Sequence, residues 1–207
     1  MVGSQLSKVS KFTTYKEWGL PLAEFSLVSV ADDLIRFGAV PGIASLGAGI
    51  GFGSFHEDGA VEINYTDIVK IDKSLRADIL LFDYWVHNAD RALSANGGNP
   101  NLLWHADKEQ LVVIDHNAAF EDDFSQADFF KHHIFRDSVA GWGESFRESR
   151  QQKILEVLGK FPDICALVPE AWYADNELTG FSAELVRMKQ VLNRIKENPN
   201  AFWEVSL

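Results

Sequence analysis

The stretch Asp83-Tyr-Trp-Val-His-Asn-Ala-Asp-Arg91, continuing through Asn99-Pro-Asn-Leu-Leu-Trp104 to Val112-Val-Ile-Asp-His116, decides how the chain reads. It opens on the end of an apolar helix, Ser74 to Val86. Leu75, Ile79, Phe82 and Val86 share one helical stripe, and Leu80, Leu81 and Trp85 widen it into a buried girth. A polar loop rich in glycine and asparagine follows, carrying Asp90 and Arg91. Two short apolar runs come next, Leu102–Trp104 and Leu111–Ile114, and the residues between them, Ala106–Gln110, read as a hairpin connection. A hairpin sets the residue before its first strand near the residue after its second. Here those residues are Asn101 and Asp115, with Asp90 on the loop leading in.

An acid, an amide and a second acid in that arrangement suit phosphoryl transfer, which needs hard oxygen ligands for Mg²⁺ and a carboxylate facing the acceptor hydroxyl. Asp90 is then the catalytic base, while Asn101 and Asp115 carry the metal. Arg91 either touches the phosphates of ATP or braces Asp90 or Asp83. The bland alternatives stand beside these: Asp90 bracing a turn, Asp115 ending a buried strand. Asn99 is a second candidate amide, set back by its place beside Pro100. His87 and Asn88 read as loop-holding hydrogen-bond formers and His116 as structural. Trp85, Trp104 and Trp172 read as core. A metal-dependent hydrolase built on the same acids is weaker, because nothing resembles a third acidic ligand.

The words His87-Asn-Ala-Asp-Arg, Asn99-Pro-Asn-Leu-Leu and Ile114-Asp-His resemble the signature of HipA-like kinases, a bacterial branch of the protein-kinase and phosphatidylinositol-kinase fold. The likeness extends from Gly51-Phe-Gly-Ser to Pro169-Glu-Ala-Trp. Asn117 stands where the family usually has Gly, a change that left-handed backbone angles tolerate in Asn. The resemblance implies an α+β fold, mostly helical, matching the kinase C-terminal lobe with its catalytic-loop hairpin. It implies ATP and Mg²⁺ as cofactors and a protein or small-molecule hydroxyl as acceptor. The family also carries a phosphate-contacting lysine upstream. Here Lys8, Lys11 and Lys16 lie in polar, strand-poor sequence, and Lys70 and Lys73 stand too near the helix start. The expected architecture is therefore a C-terminal lobe with a reduced N-terminal part. A second function follows from it: a non-catalytic nucleotide-binding or partner-binding pseudokinase remnant, completed by another chain that supplies the N-lobe.

The 207 residues fit one domain, read here as a poorly ordered segment over 1–20 and a kinase domain over 21–207. A hydrophobic content of 46% with 24% charged residues is ordinary for a folded protein. The 19 basic and 30 acidic residues give a net charge of −11, which disfavours nucleic acid and anionic membrane as partners. The single Cys165 and the lack of a secretory leader point to the cytoplasm.

Leu22–Val30 reads as a strand and Asp32–Phe37 as a short helix ended by Gly38 and Pro41. The glycines at 47, 49, 51 and 53 fit no phosphate-loop pattern and read as a flexible connection. Phe124–Phe135 holds paired aromatics and His132-His133, which face different ways on a helix and make no joint zinc site. Ser145-Phe-Arg-Glu148 reads as a capping box opening a helix that Pro162 stops. A helical segment follows around Asp163–Leu167, then a turn from Pro169. Ser182 reads as the cap of a last helix, with Phe181, Leu185, Met188, Leu192 and Ile195 along one stripe and Asn198-Pro199 at its end.

Overall fold

The computed structural model describes residues 13–39, 41–94, 97–116, 118–120, 122–169, 172 and 178–205. The molecule is built on α3 (Lys73–Trp85), whose first free amides are satisfied by Asp72: its carboxylate accepts from Ser74 N at 2.8 Å and Leu75 N at 3.2 Å. Ile79, Leu80, Leu81, Phe82 and Trp85 of this helix are fully buried, each contributing about 1.5–3 kcal/mol of transfer free energy. Such a girth has no solvent face, so other elements must surround it.

They come from both sides. Residues 13–18 form α1 and Asp32–Phe37 form the short α2; α1 seats Tyr15 and Trp18 against Phe82, with ring centroids 3.9 and 5.3 Å away. This differs from the loose terminus expected through residue 20. Two aromatic rings spaced three residues apart are enough to anchor one helical turn. Residues 1–12 lie outside the described part.

From the other side come α4 (Gln126–His132), α5 (Glu144–Gly159), α6 (Phe161–Ala166), α7 (Leu178–Glu197) and α8 (Pro199–Trp203). Tyr84 stands between Phe130 and Phe202, 5.1 Å from each, and Trp142 meets Trp203 edge-on at 5.8 Å. Met188, Leu192 and Ile195 of α7 are buried as their stripe predicts.

Helix ends depart from the sequence reading. Helix α5 starts at Glu144 behind Gly143 without a side-chain cap, so the Ser145–Glu148 box lies inside it. Pro162 does not stop α5 but sits in the first turn of α6, where its missing N–H costs nothing. Helix α7 begins at Leu178, placing Ser182 within it. Asn198 ends α7 and also caps α8 through its Oδ1, which accepts from Ala201 N at 3.1 Å. Residues 170 and 171 of the expected turn lie outside the described part.

Among the described residues, three small antiparallel sheets complete the fold. Strands β1 (Phe25–Val30) and β2 (Gly49–Ser54) pair in register Val28↔Gly51. The glycine-alternating stretch is thus a strand, not a flexible connection: its glycines let Val28 lie across it, with a methyl only 3.2 Å from where a Cβ of Gly53 would stand. Strands β4 (Ala92–Ser94) and β5 (Gly97–Asn99) form a second ladder. Strands β3 (Val61–Glu62), β6 (Leu102–His105) and β7 (Gln110–Val113) form the third, in the order β3-β6-β7. The hairpin expected from the sequence is β6–β7, with Leu102 opposite Val113.

Candidate active site on the loop and hairpin after α3

Helix α3 closes in a left-handed turn at His87, φ 57°. Asn88 N donates to Asp83 O at 2.8 Å and His87 N to Tyr84 O at 3.4 Å, the paired closure of a Schellman motif. The imidazole of His87 stacks on Phe124 at 4.2 Å with the planes 2° apart. The Arg194 guanidinium donates to Tyr84 O and Trp85 O at 3.0 and 3.1 Å, a cation at the negative end of the helix. Burial, with the charge of Arg194 added, pushes the His87 imidazole down to about 3. The ring is neutral at physiological pH.

Beyond this closure the loop divides: the Asp90 residue is exposed and Arg91 is fully buried. Arg91 does not face the outside, where it would have to stand to touch phosphate. Its Nε donates to Asp83 Oδ2 at 2.7 Å, and its Nη1 to Pro100 O at 3.1 Å and Asn101 O at 2.7 Å. Of the two readings open for this residue, the structure supports the brace on Asp83. The guanidinium has no solvent exposure, and its Nε and Nη1 are given to one carboxylate and two carbonyls of the loop.

Asp83 is the hub of that brace and is itself fully buried. Tyr15 OH donates to its Oδ1 at 2.6 Å and Asn88 Nδ2 to the same oxygen at 2.8 Å. Oδ2 takes Arg91 Nε and His133 Nε2, the latter at 3.0 Å. Phe135 N donates to His133 Nδ1 at 3.1 Å, so Nδ1 is the acceptor and Nε2 carries the proton given to Asp83. Burial by itself would raise the Asp83 pKa; the Arg91 charge and the His133 hydrogen bond overcome it and hold the carboxyl well below the usual range. Burial keeps the His133 pKa below its ordinary value despite Asp83. The Tyr15 phenol is pushed up by burial and by the charge of Asp83.

Asn101 is buried, with φ 49°, and its side chain turns to the loop acid. Nδ2 donates to Asp90 O at 2.6 Å and to Asp90 Oδ2 at 3.1 Å. Two of the three expected site residues are therefore in direct contact. Asp115 stands one residue beyond Ile114, whose N–H donates to Asn101 O at 3.1 Å. This puts Asp115 at the Asn101 end of the hairpin, exposed, with φ 42°. Asn99 is exposed in β5 opposite Ala92 and lies outside the braced network.

His132 is exposed and His133 buried, the divergence expected of neighbours at a helix end. Tyr15 and His133 are the members of the network that sequence reasoning passed over, and Asp83 entered it only as a possible brace for Arg91. One signal was present: an acid between Phe82 and Tyr84 in an otherwise apolar helix must find a buried partner, and Arg91 is the first cation after it. Tyr15 and His133 carry no comparable signal, since only tertiary packing brings them there. Among the described residues no three His, Cys, Asp or Glu side chains cluster as a metal site. Mg²⁺ needs no such cage, because it binds through one or two protein oxygens together with phosphate and water. The Asn101 Oδ1 and the Asp115 carboxylate are of the right chemistry for it.

A helical body around one buried helix, handing over to a braced loop acid and a short hairpin, defines a lobe of kinase type. The family model for HipA-like kinases matches residues 13–206, and the chain belongs to that family. Curated proteins gave no match.

Proposed function

We propose that the chain transfers the γ-phosphate of ATP to the hydroxyl of a protein or small-molecule acceptor, with Asp90 as the base. The observation that carries this reading is the double contact of Asn101 Nδ2 with Asp90, at 2.6 and 3.1 Å: a buried amide holds an exposed carboxylate. A base must be oriented before it is useful, and an immobilised neighbour supplies that orientation. The acceptor oxygen bonds to the γ-phosphorus as the bond to the β–γ bridging oxygen breaks. ADP leaves, and the hydroxyl proton passes to the Asp90 carboxylate. Asn101 Oδ1 and the Asp115 carboxylate would hold Mg²⁺, which when bound neutralises charge on the phosphate oxygens. Among the described residues no helix is long and apolar enough to cross a membrane. The single Cys165 leaves no internal disulfide to form, which fits the cytoplasmic assignment.

The test is label transfer from γ-labelled ATP with Mg²⁺, compared with Asp90→Asn and Asp115→Asn. Transfer by the parent chain that both substitutions abolish is the expected result. Absence of both transfer and ATP binding refutes the reading.

A second reading, a nucleotide-binding or partner-binding remnant completed by another chain, draws on the β1–β2 ribbon. Leu27, Val28 and Ile50 on it are 44, 40 and 42% exposed, and neither strand contains a lysine. ATP binding by calorimetry without turnover favours this alternative.

A further inference from the structure

We propose that Asp83 is a positioning residue for phosphotransfer, acting on Asp90 through Arg91 and Asn101; the proposal rests on the reading of Asp90 as the base. Four side chains from separate stretches converge on its carboxylate. They are Tyr15 from α1, Asn88 and Arg91 from the two sides of Asp90, and His133 from the segment after α4. The carboxylate is on the last turn of the most buried helix, so it is the fixed end of the chain of contacts.

From that fixed end the path to the outside is continuous. Asp83 Oδ2 holds Arg91 Nε at 2.7 Å, Arg91 Nη1 holds Asn101 O at 2.7 Å, and Asn101 Nδ2 holds Asp90 at 2.6 and 3.1 Å. Asp90 and Arg91 are adjacent in sequence, so the path closes on itself. Between them and Asn101, Ala92–Ser94 and Gly97–Asn99 form the β4–β5 ladder, which leaves and returns through the two points that Arg91 ties together. The backbone of Arg91 is tied as well: Ile134 N donates to Arg91 O at 2.9 Å, and Ala92 bridges to His133. His133 therefore grips both the hub carboxylate, through its ring, and the strand beginning after Arg91, through its backbone.

Removing the Asp83 charge takes away the partner that orients Arg91. Asn101 then loses its backbone clamp and Asp90 its orientation, without any group at the nucleotide being deleted. A displacement of about 1 Å at a reacting group lowers a rate on the order of 100-fold. Asp83→Asn is accordingly expected to lower kcat for turnover of γ-labelled ATP by about 100-fold, with KM for ATP changed less than about threefold. His133→Leu, which removes the donor to Asp83 and the acceptor of Phe135 N without stranding a charge, is expected to lower kcat by about 10-fold, and His133→Gln, which keeps an N–H and an acceptor oxygen, to restore it within about twofold.

Hydrogen exchange supplies an arm that needs no turnover. Faster exchange confined to residues 90–101 in Asp83→Asn or His133→Leu supports the proposal. Unchanged exchange there in a folded variant overturns it. So does a kcat within about twofold of the parent in folded Asp83→Asn while Asp90→Asn is inactive; in that case the kinase reading survives and the positioning role does not. If Asp83→Asn does not fold, the His133 pair decides by the same two measurements. A parent chain without turnover, with loop exchange still responding to Asp83, sinks the kinase reading alone and leaves the brace standing.

Discussion

Replacing Arg91 by Met separates the two readings that the sequence left open for this residue. Met retains much of the apolar stem and loses the charge. In the structure the substitution removes the hydrogen bond to Asp83 and those to Pro100 O and Asn101 O, all in a site without solvent exposure. Deleting one member of a buried ion pair leaves an uncompensated charge, which costs about 3–5 kcal/mol. Deleting a solvent-facing phosphate ligand would leave stability within about 0.5 kcal/mol of the parent. The assay is equilibrium urea unfolding at pH 7, followed by far-ultraviolet circular dichroism and by tryptophan fluorescence. The double variant Asp83→Asn, Arg91→Met completes a cycle. Because both single changes break one interaction, their costs should fall short of additivity by about 1–3 kcal/mol. Arg91→Met unfolding at the parent's urea concentration while losing ATP affinity would refute the internal brace and restore the phosphate contact.

Asn101→Asp sets a carboxylate 3.1 Å from Asp90 Oδ2 where an amide now donates, so turnover should fall by about 100-fold or more, measured against Asn101→Ala as the neutral control. Gly98→Ala should destabilise the chain by about 1–3 kcal/mol in urea unfolding: Gly98 has φ 151°, and a Cβ there would lie 2.3 Å from Ala92 O. An unchanged midpoint would mean that the β4–β5 ladder is not closed as described. The histidines give a pH dependence. His87, held at about 3, stays neutral in the fold but takes a proton when unfolded below about pH 6.5, and His133, held below its ordinary value, contributes in the same direction. Folded pKa values below the unfolded ones mean stability that is present above that pH and lost as it falls, by about 1.4 kcal/mol per pH unit per histidine at most. Urea unfolding at pH 7 and pH 5 should show the loss, and His87→Gln should reduce it. Equal pH sensitivity in parent and variant would refute the assignment to His87.

The central helix and the hairpin were legible because each follows from local pattern. A stripe widened by Leu80, Leu81 and Trp85 has to be buried, and two apolar runs separated by a polar turn pair with each other. Hairpin geometry set Asn101 beside Asp115, with Asp90 only on the loop leading in; the direct contact of Asn101 with Asp90 follows from the path of that loop, which no local pattern fixes. Asp115 was legible as the residue at the same end. What escaped was decided by packing between distant segments. Tyr15 sits 68 residues from Asp83, and nothing near it in sequence announces the contact. The glycine-alternating strand was missed because its pairing partner, β1, supplies the valine that fills its bare surface. The helix start at Glu144 was missed because it does not use the Ser that propensity favours as a cap.

The clamp of Arg91 on Pro100 and Asn101 has a consequence for how this region tolerates change. Both stalks of the excursion over residues 92–99 are fastened below it, so its length and composition are decoupled from the spacing of the two side chains that flank it. Grafting a longer or shorter ribbon between Arg91 and Pro100 should leave those flanks in place. Diversity in this segment can therefore reshape the surface beside Asp90 while its contact with Asn101 stays put.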